Sequence, residues 1–79
     1  MTPEFYLVLE DHDLHEQLQN AVFAAGFDDS ELTIRGDHAA IWICHRQGEL
    51  TNLVRQALAQ ARAARIEVSH VEIESAVFA

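Results

Sequence analysis

The stretch Leu32-Thr33-Ile34-Arg35-Gly36-Asp37-His38-Ala39-Ala40-Ile41-Trp42-Ile43-Cys44-His45 lies in the middle of the chain and reads as a hairpin. Residues 32–35 form a short strand, Gly36-Asp37 suits a tight two-residue loop, and residues 38–45 return as a longer strand. An apolar-striped helix flanks the hairpin on each side, and one further strand lies beyond each helix. Upstream, Phe5-Tyr6-Leu7-Val8-Leu9 is a run of β-formers closed by the acidic stretch Glu10-Asp11-His12-Asp13. Leu14, Leu18, Ala21, Val22 and Ala25 then recur at helical spacing, which predicts a helix over 14–25. Asp13 is the expected cap, with Glu16 three residues on as in a capping box. Gly26 suits the left-handed position that ends the helix, with Phe27 folding back on Val22.

Downstream, Leu50, Leu53, Val54, Ala57, Leu58, Ala61 and Ala64 follow the 3.6-residue period and predict a helix over 49–64. Arg62 and Arg65 stand at its C-terminal end, where the helix dipole favours positive charge. The last strand, over 66–73, changes phase: Ile66 and Val68 alternate together, then Val71 and Ile73. A bulge near Ser69-His70 reconciles the halves. The order strand, helix, strand, strand, helix, strand predicts an α+β, two-layer ferredoxin-like sandwich, βαββαβ, with an antiparallel sheet of order 4-1-3-2 and both helices on one face. Residues 1–79 make a single domain.

At 79 residues with a 49% apolar and 23% charged composition, the chain is globular in character. A domain this small buries only about 60–65% of its unfolded surface, so its stability is expected to be modest unless it gains contacts from a partner. The net charge is −8 and there is no lysine; the basic residues are Arg35, Arg46, Arg55, Arg62 and Arg65. Such a surface repels phosphate backbones, so no nucleic-acid binding by this segment alone is expected. Cys44 stands alone, which rules out an intramolecular disulfide and points to no oxidising compartment. With no basic leader at the N-terminus and no apolar run of spanning length, no membrane association is expected and the cytoplasm is the simplest location.

Three features together resemble the N-terminal segment of an uncharacterised bacterial protein family, some members of which continue into a helix-turn-helix. They are Ala25-Gly26-Phe27-Asp28-Asp29, the hairpin ending in His45-Arg46, and the second helix closing into Ile66-Glu67-Val68-Ser69-His70-Val71-Glu72. The similarity runs from about Phe5 to Glu72. Phe27 stands where a cysteine is common, and the sequence stops at Ala79 where a helix-turn-helix would begin. The resemblance therefore implies an accessory or standalone domain of a regulator. It also implies that Phe5, Leu7, Leu9, Trp42 and Cys44 face the core.

Candidate chemistry is sparse. The topology brings the end of the first strand and the Gly36 hairpin to one edge, so His12, His15 and His38 are the candidate metal ligands, with Asp11, Asp13 or Asp37 as oxygen donors for zinc or a similar ion. Their spacing matches no closed metal motif, and solvated surface histidine is the preferred reading, with no cofactor. Cys44 and His45 are neighbours in a strand and point to opposite faces, so they form no nucleophile–base pair. The three glycines stand singly, there is no Cys-x-x-Cys, and no acid, base and nucleophile can be placed together; an enzyme is not expected. Amino-acid sensing on this topology would rest on analogy of fold alone.

The middle strands carry more information. Phe5, Leu7 and Leu9 alternate with Tyr6 and Val8, and Ala40, Trp42 and Cys44 alternate with Ile41 and Ile43, so both sheet faces are apolar in either phase. A solvated back would instead be polar. With the core set by the resemblance, Tyr6, Val8, Ile41 and Ile43 form the expected interaction face, a patch of a few hundred Å2. The function expected is a small non-enzymatic interaction or regulatory domain that self-associates through this face as a homodimer, or binds a protein partner there. A small-ligand or metal-binding sensor is the alternative. Ala76-Val77-Phe78-Ala79 is a rival cover for the face.

Overall fold

The computed structural model of the protein describes residues 3–73, so the expected rival cover Ala76-Val77-Phe78-Ala79 lies outside the described residues. The elements are β1 (Phe5–Leu9), α1 (Glu16–Ala24), β2 (Glu31–Arg35), β3 (His38–Ile43), α2 (Leu50–Ala63) and β4 (Val68–Ile73). They form one antiparallel sheet in the order β2-β3-β1-β4, which is the expected 4-1-3-2 arrangement counted from the other edge. The fold is a two-layer, ferredoxin-like α+β sandwich. No helix among the described residues is long and apolar enough to cross a membrane.

The hairpin fixes the register of the sheet. Gly36 and Asp37 both have positive φ, 56° and 66°, the conformation of a two-residue turn whose twist matches the flanking strands. Arg35 therefore pairs with His38, and counting back along the strands sets Leu32 opposite Ile41 and Glu31 opposite Trp42. β1 then pairs Phe5 with Ile43 and Leu7 with Ile41.

The pairing settles which side chains form the core. Phe5, Leu7 and Leu9 of β1 share the helix-covered face with Ala39, Ile41 and Ile43 of β3. Leu18 and Val22 of α1, Phe27, Leu53, Ala57 and Ala61 of α2, and Ile66 close over them. Full burial of a large apolar side chain contributes about 1.5–3 kcal/mol, so this row is the main source of stability. The expected phase of β3 is corrected here. Ile41 and Ile43 are fully buried under the helices and are not part of the open face. Trp42 takes the open side instead, opposite Tyr6. β2 is the physical reason: its polar Glu31, Thr33 and Arg35 share the open face, so its apolar Leu32 faces inward and takes Ile41 with it.

Both helices end in the same way. At α1 the Phe27 N–H donates to the Val22 carbonyl and the Gly26 N–H to the Phe23 carbonyl, with Gly26 at φ 95°. At α2 the Ile66 N–H donates to the Ala61 carbonyl and the Arg65 N–H to the Arg62 carbonyl. These are paired Schellman closures, but the left-handed position of the second is occupied by Arg65, at φ 60°. Gln60 joins the two ends by donating from Nε2 to the Ala25 carbonyl at 2.7 Å.

The start of α1 differs from expectation. The cap is His15, whose Nδ1 accepts from the Leu18 N–H at 3.1 Å, and the helix begins at Glu16. Asp13, the expected cap, lies in the loop before it. The expected bulge is present in β4: Val8 pairs with His70 and Leu9 with Val68, leaving Ser69 as the extra residue.

Candidate functional site

The face away from the helices is built in rows. Glu31, Trp42, Tyr6 and Glu72 lie across the four strands in one row, and Thr33, Ala40, Val8 and His70 in the next. Tyr6 and Trp42 stack with ring centroids 6.1 Å apart and planes within 13°. Arg35 begins beyond the second row, next to the hairpin turn, yet its guanidinium lies 4.1 Å from the centre of the Tyr6 ring. Its side chain thus crosses the row containing Ala40 and Val8, both of which are buried. Of the four residues expected on this face, Tyr6 and Val8 are there and Ile41 and Ile43 are not; Trp42 and Arg35 complete it.

A hydrogen-bond chain runs along β4 at one side of the face. The Arg35 Nε–H donates to Glu72 Oε1 at 2.7 Å, and His70 Nε2 lies 2.9 Å from Glu72 Oε2. Ser69 Oγ is 3.1 Å from His70 Nδ1. The hydrogen bond from His70, then that from Arg35, hold the Glu72 carboxyl below the usual glutamate range. Hydroxyl, imidazole and carboxylate stand in the order of a nucleophile relay. Here the carboxylate is shared with a guanidinium, which draws off the negative charge that would support an imidazolium. The Trp42 indole Nε1–H is buried and has no hydrogen-bond partner among the described residues.

At the other end of the sheet, the structure brings His12 and His38 together and leaves His15 apart. The His12 and His38 ring centroids are 4.4 Å apart. His15 is committed at both nitrogens, since Nδ1 caps α1 and Nε2 lies 3.1 Å from Asp11 Oδ2. Among the described residues no group of three or more His, Cys, Asp or Glu side chains converges on a point that would hold a metal.

Cys44 is buried just past β3. Burial, then the carboxylates of Glu31, Glu4 and Asp29, push its thiol up, away from the reactive thiolate. Arg46 beside it is spent on structure: Nε and Nη2 reach the two Asp29 carboxylate oxygens at 3.0 and 3.3 Å. These bonds hold the Asp29 carboxyl below its ordinary value and tie the loop after α1 to the loop after β3. An open groove of about 700 Å3 runs between β4 and the end of α2, walled by Leu58, Arg62 and Arg65. The two arginines face the negative end of the α2 dipole there, which is sufficient reason for their charge.

Neither a known protein family, nor a curated protein, nor a solved structure matches this chain.

Proposed function

We propose that the domain is a non-enzymatic interaction module that associates through its open sheet face, its partner being a second copy of the chain. One observation carries this reading. The chain's single tryptophan and single tyrosine are stacked on that face beneath an arginine, and Trp, Tyr and Arg are the residue types that dominate binding energy at protein interfaces. The face also carries both signs of charge, with Arg35 near one edge and Glu31 and Glu72 in the aromatic row. A cytoplasmic setting suits the free thiol of Cys44.

Sedimentation velocity from micromolar to near-millimolar concentration tests the proposal. The wild type should pass from monomer to dimer, and Trp42→Ala should stay monomeric and folded because Trp42 lies outside the helix-covered core. A wild type that remains monomeric across the whole range would remove the reading.

A further inference from the structure

His12 and His38 come from different segments and are held ring to ring. His12 lies in the loop after β1, and His38 opens β3 directly after the Gly36-Asp37 turn. The Ala39 N–H donates to the Asp11 carbonyl at 2.8 Å, which carries the contact between the two segments beyond Leu9 and fixes them side by side. Each ring is then oriented by a main-chain carbonyl. His12 Nδ1 lies 2.8 Å from the Asp37 oxygen, and His38 Nδ1 lies 2.7 Å from the Leu9 oxygen. A carbonyl only accepts, so both rings carry a proton on Nδ1, and in their neutral forms each Nε2 offers a lone pair. Among the described residues neither Nε2 has a hydrogen-bond partner.

We propose that His12 and His38 form a two-imidazole site for a divalent transition-metal ion, bound through both Nε2 atoms with water in the remaining positions. An Nδ1–H held on a carbonyl is the arrangement that sets the tautomer and orientation of metal-binding histidine. The ring spacing selects among ions. For an ion bound by both Nε2 atoms at about 2.1 Å, each ring centroid would sit about 3.2 Å away, and centroids 4.4 Å apart would then subtend about 90°. That is the angle between neighbouring ligands in octahedral or square geometry, and it is narrower than the tetrahedral angle zinc prefers. Ni2+ and Cu2+ fit it, and both also bind imidazole strongly.

Calorimetric titration of the tag-free chain with nickel chloride is the test. It should give one ion per chain and a melting temperature that rises with nickel to a plateau. His12→Asn and His38→Asn should each weaken binding by at least about tenfold, since each removes one of two protein ligands. His15→Asn keeps a helix-cap acceptor and should leave the affinity unchanged, and zinc chloride should bind more weakly than nickel. His12 is exposed, so His12→Asn keeps the test decisive even if His38→Asn proves unstable. No saturable nickel binding by the wild type, nickel binding that survives His12→Asn, or tighter binding of zinc would overturn the proposal.

Discussion

Arg35 on one edge strand and Glu72 on the opposite edge strand meet across the open face of the sheet, 2.7 Å apart. The two central strands run beneath them, so this one contact ties the outermost strands together directly. Both side chains remain partly in water, where an ion pair is screened and contributes modestly. Its role is to order the face: it fixes the arginine over Tyr6 and presents the aromatic stack in one geometry.

The strap gives stability a defined dependence on pH. The hydrogen bonds from His70 and Arg35 hold the Glu72 carboxyl below its unfolded-state value. Its contribution is therefore complete above the ordinary glutamate range and is lost as pH falls through the lower folded-state value. Denaturant unfolding at steps from about pH 6 to about pH 3 should show this loss, and Glu72→Gln should have a flatter acid limb. An identical acid limb in the variant would mean that the carboxyl is not held by these partners.

Ile43→Glu separates the two possible phases of β3. With Ile43 on the open face it would give a folded monomer. Ile43 is fully buried against Phe5 and the helices, so the charge has no water and no partner. The variant should fail to fold, and Ile43→Ala should cost about 2–5 kcal/mol. Circular dichroism and urea titration measure both.

Trp42→Phe is expected to be neutral or to stabilise the fold by up to about 1 kcal/mol. It keeps an aromatic ring beside Tyr6 and removes a buried N–H that has no acceptor among the described residues. A loss above about 1.5 kcal/mol would show that the indole donor is satisfied in solution.

The two helix ends predict opposite responses to substitution. Arg65→Gly should raise stability by about 0.5–1 kcal/mol, because glycine adopts the left-handed conformation without a Cβ clash. Gly26→Ala should lower it by about 1–2 kcal/mol. The added Cβ would sit 2.6 Å from Gln60 Nε2 and disturb the bond to the Ala25 carbonyl. Thermal melts of the two variants against the wild type suffice.

Much of the architecture was legible because periodicity and punctuation agreed. The stripe of α2, the Gly36-Asp37 turn, the Gly26 closure and the Ser69 bulge each carry a local chemical signal. The phase of β3 was not legible from β3 itself, since Ala39, Ile41 and Ile43 are about as apolar as Ala40, Trp42 and Cys44, and the resemblance placed Trp42 inward. The deciding signal lay one strand away. β2 alternates clearly, and a two-residue turn transmits its phase, pairing Leu32 with Ile41. His15 was hidden as a cap by Asp13, a better capping residue by type, and Arg65 by the usual preference for glycine after a helix. The histidine edge was half legible: topology brought His12 and His38 together, but only side-chain geometry removes His15. The meeting of Arg35 with Glu72 spans 37 positions of sequence and has no local signature at all.

The interior position of β1 also affects how the chain is made. Phe5 is synthesised before both of its partners, Ile43 on one side and Ile73 on the other. As the chain leaves the ribosome, β1 can join the hairpin once residue 43 is free. Its second edge then stays open until residues 68–73 arrive. Throughout that interval Phe5-Tyr6-Leu7-Val8-Leu9, an uncharged run of strong strand formers, offers unpaired backbone groups to any neighbouring chain. The closing of β4 therefore does more than complete the sheet. It covers the second edge of β1, and slower emergence of β4 lengthens the interval in which that edge is open to pairing with another chain.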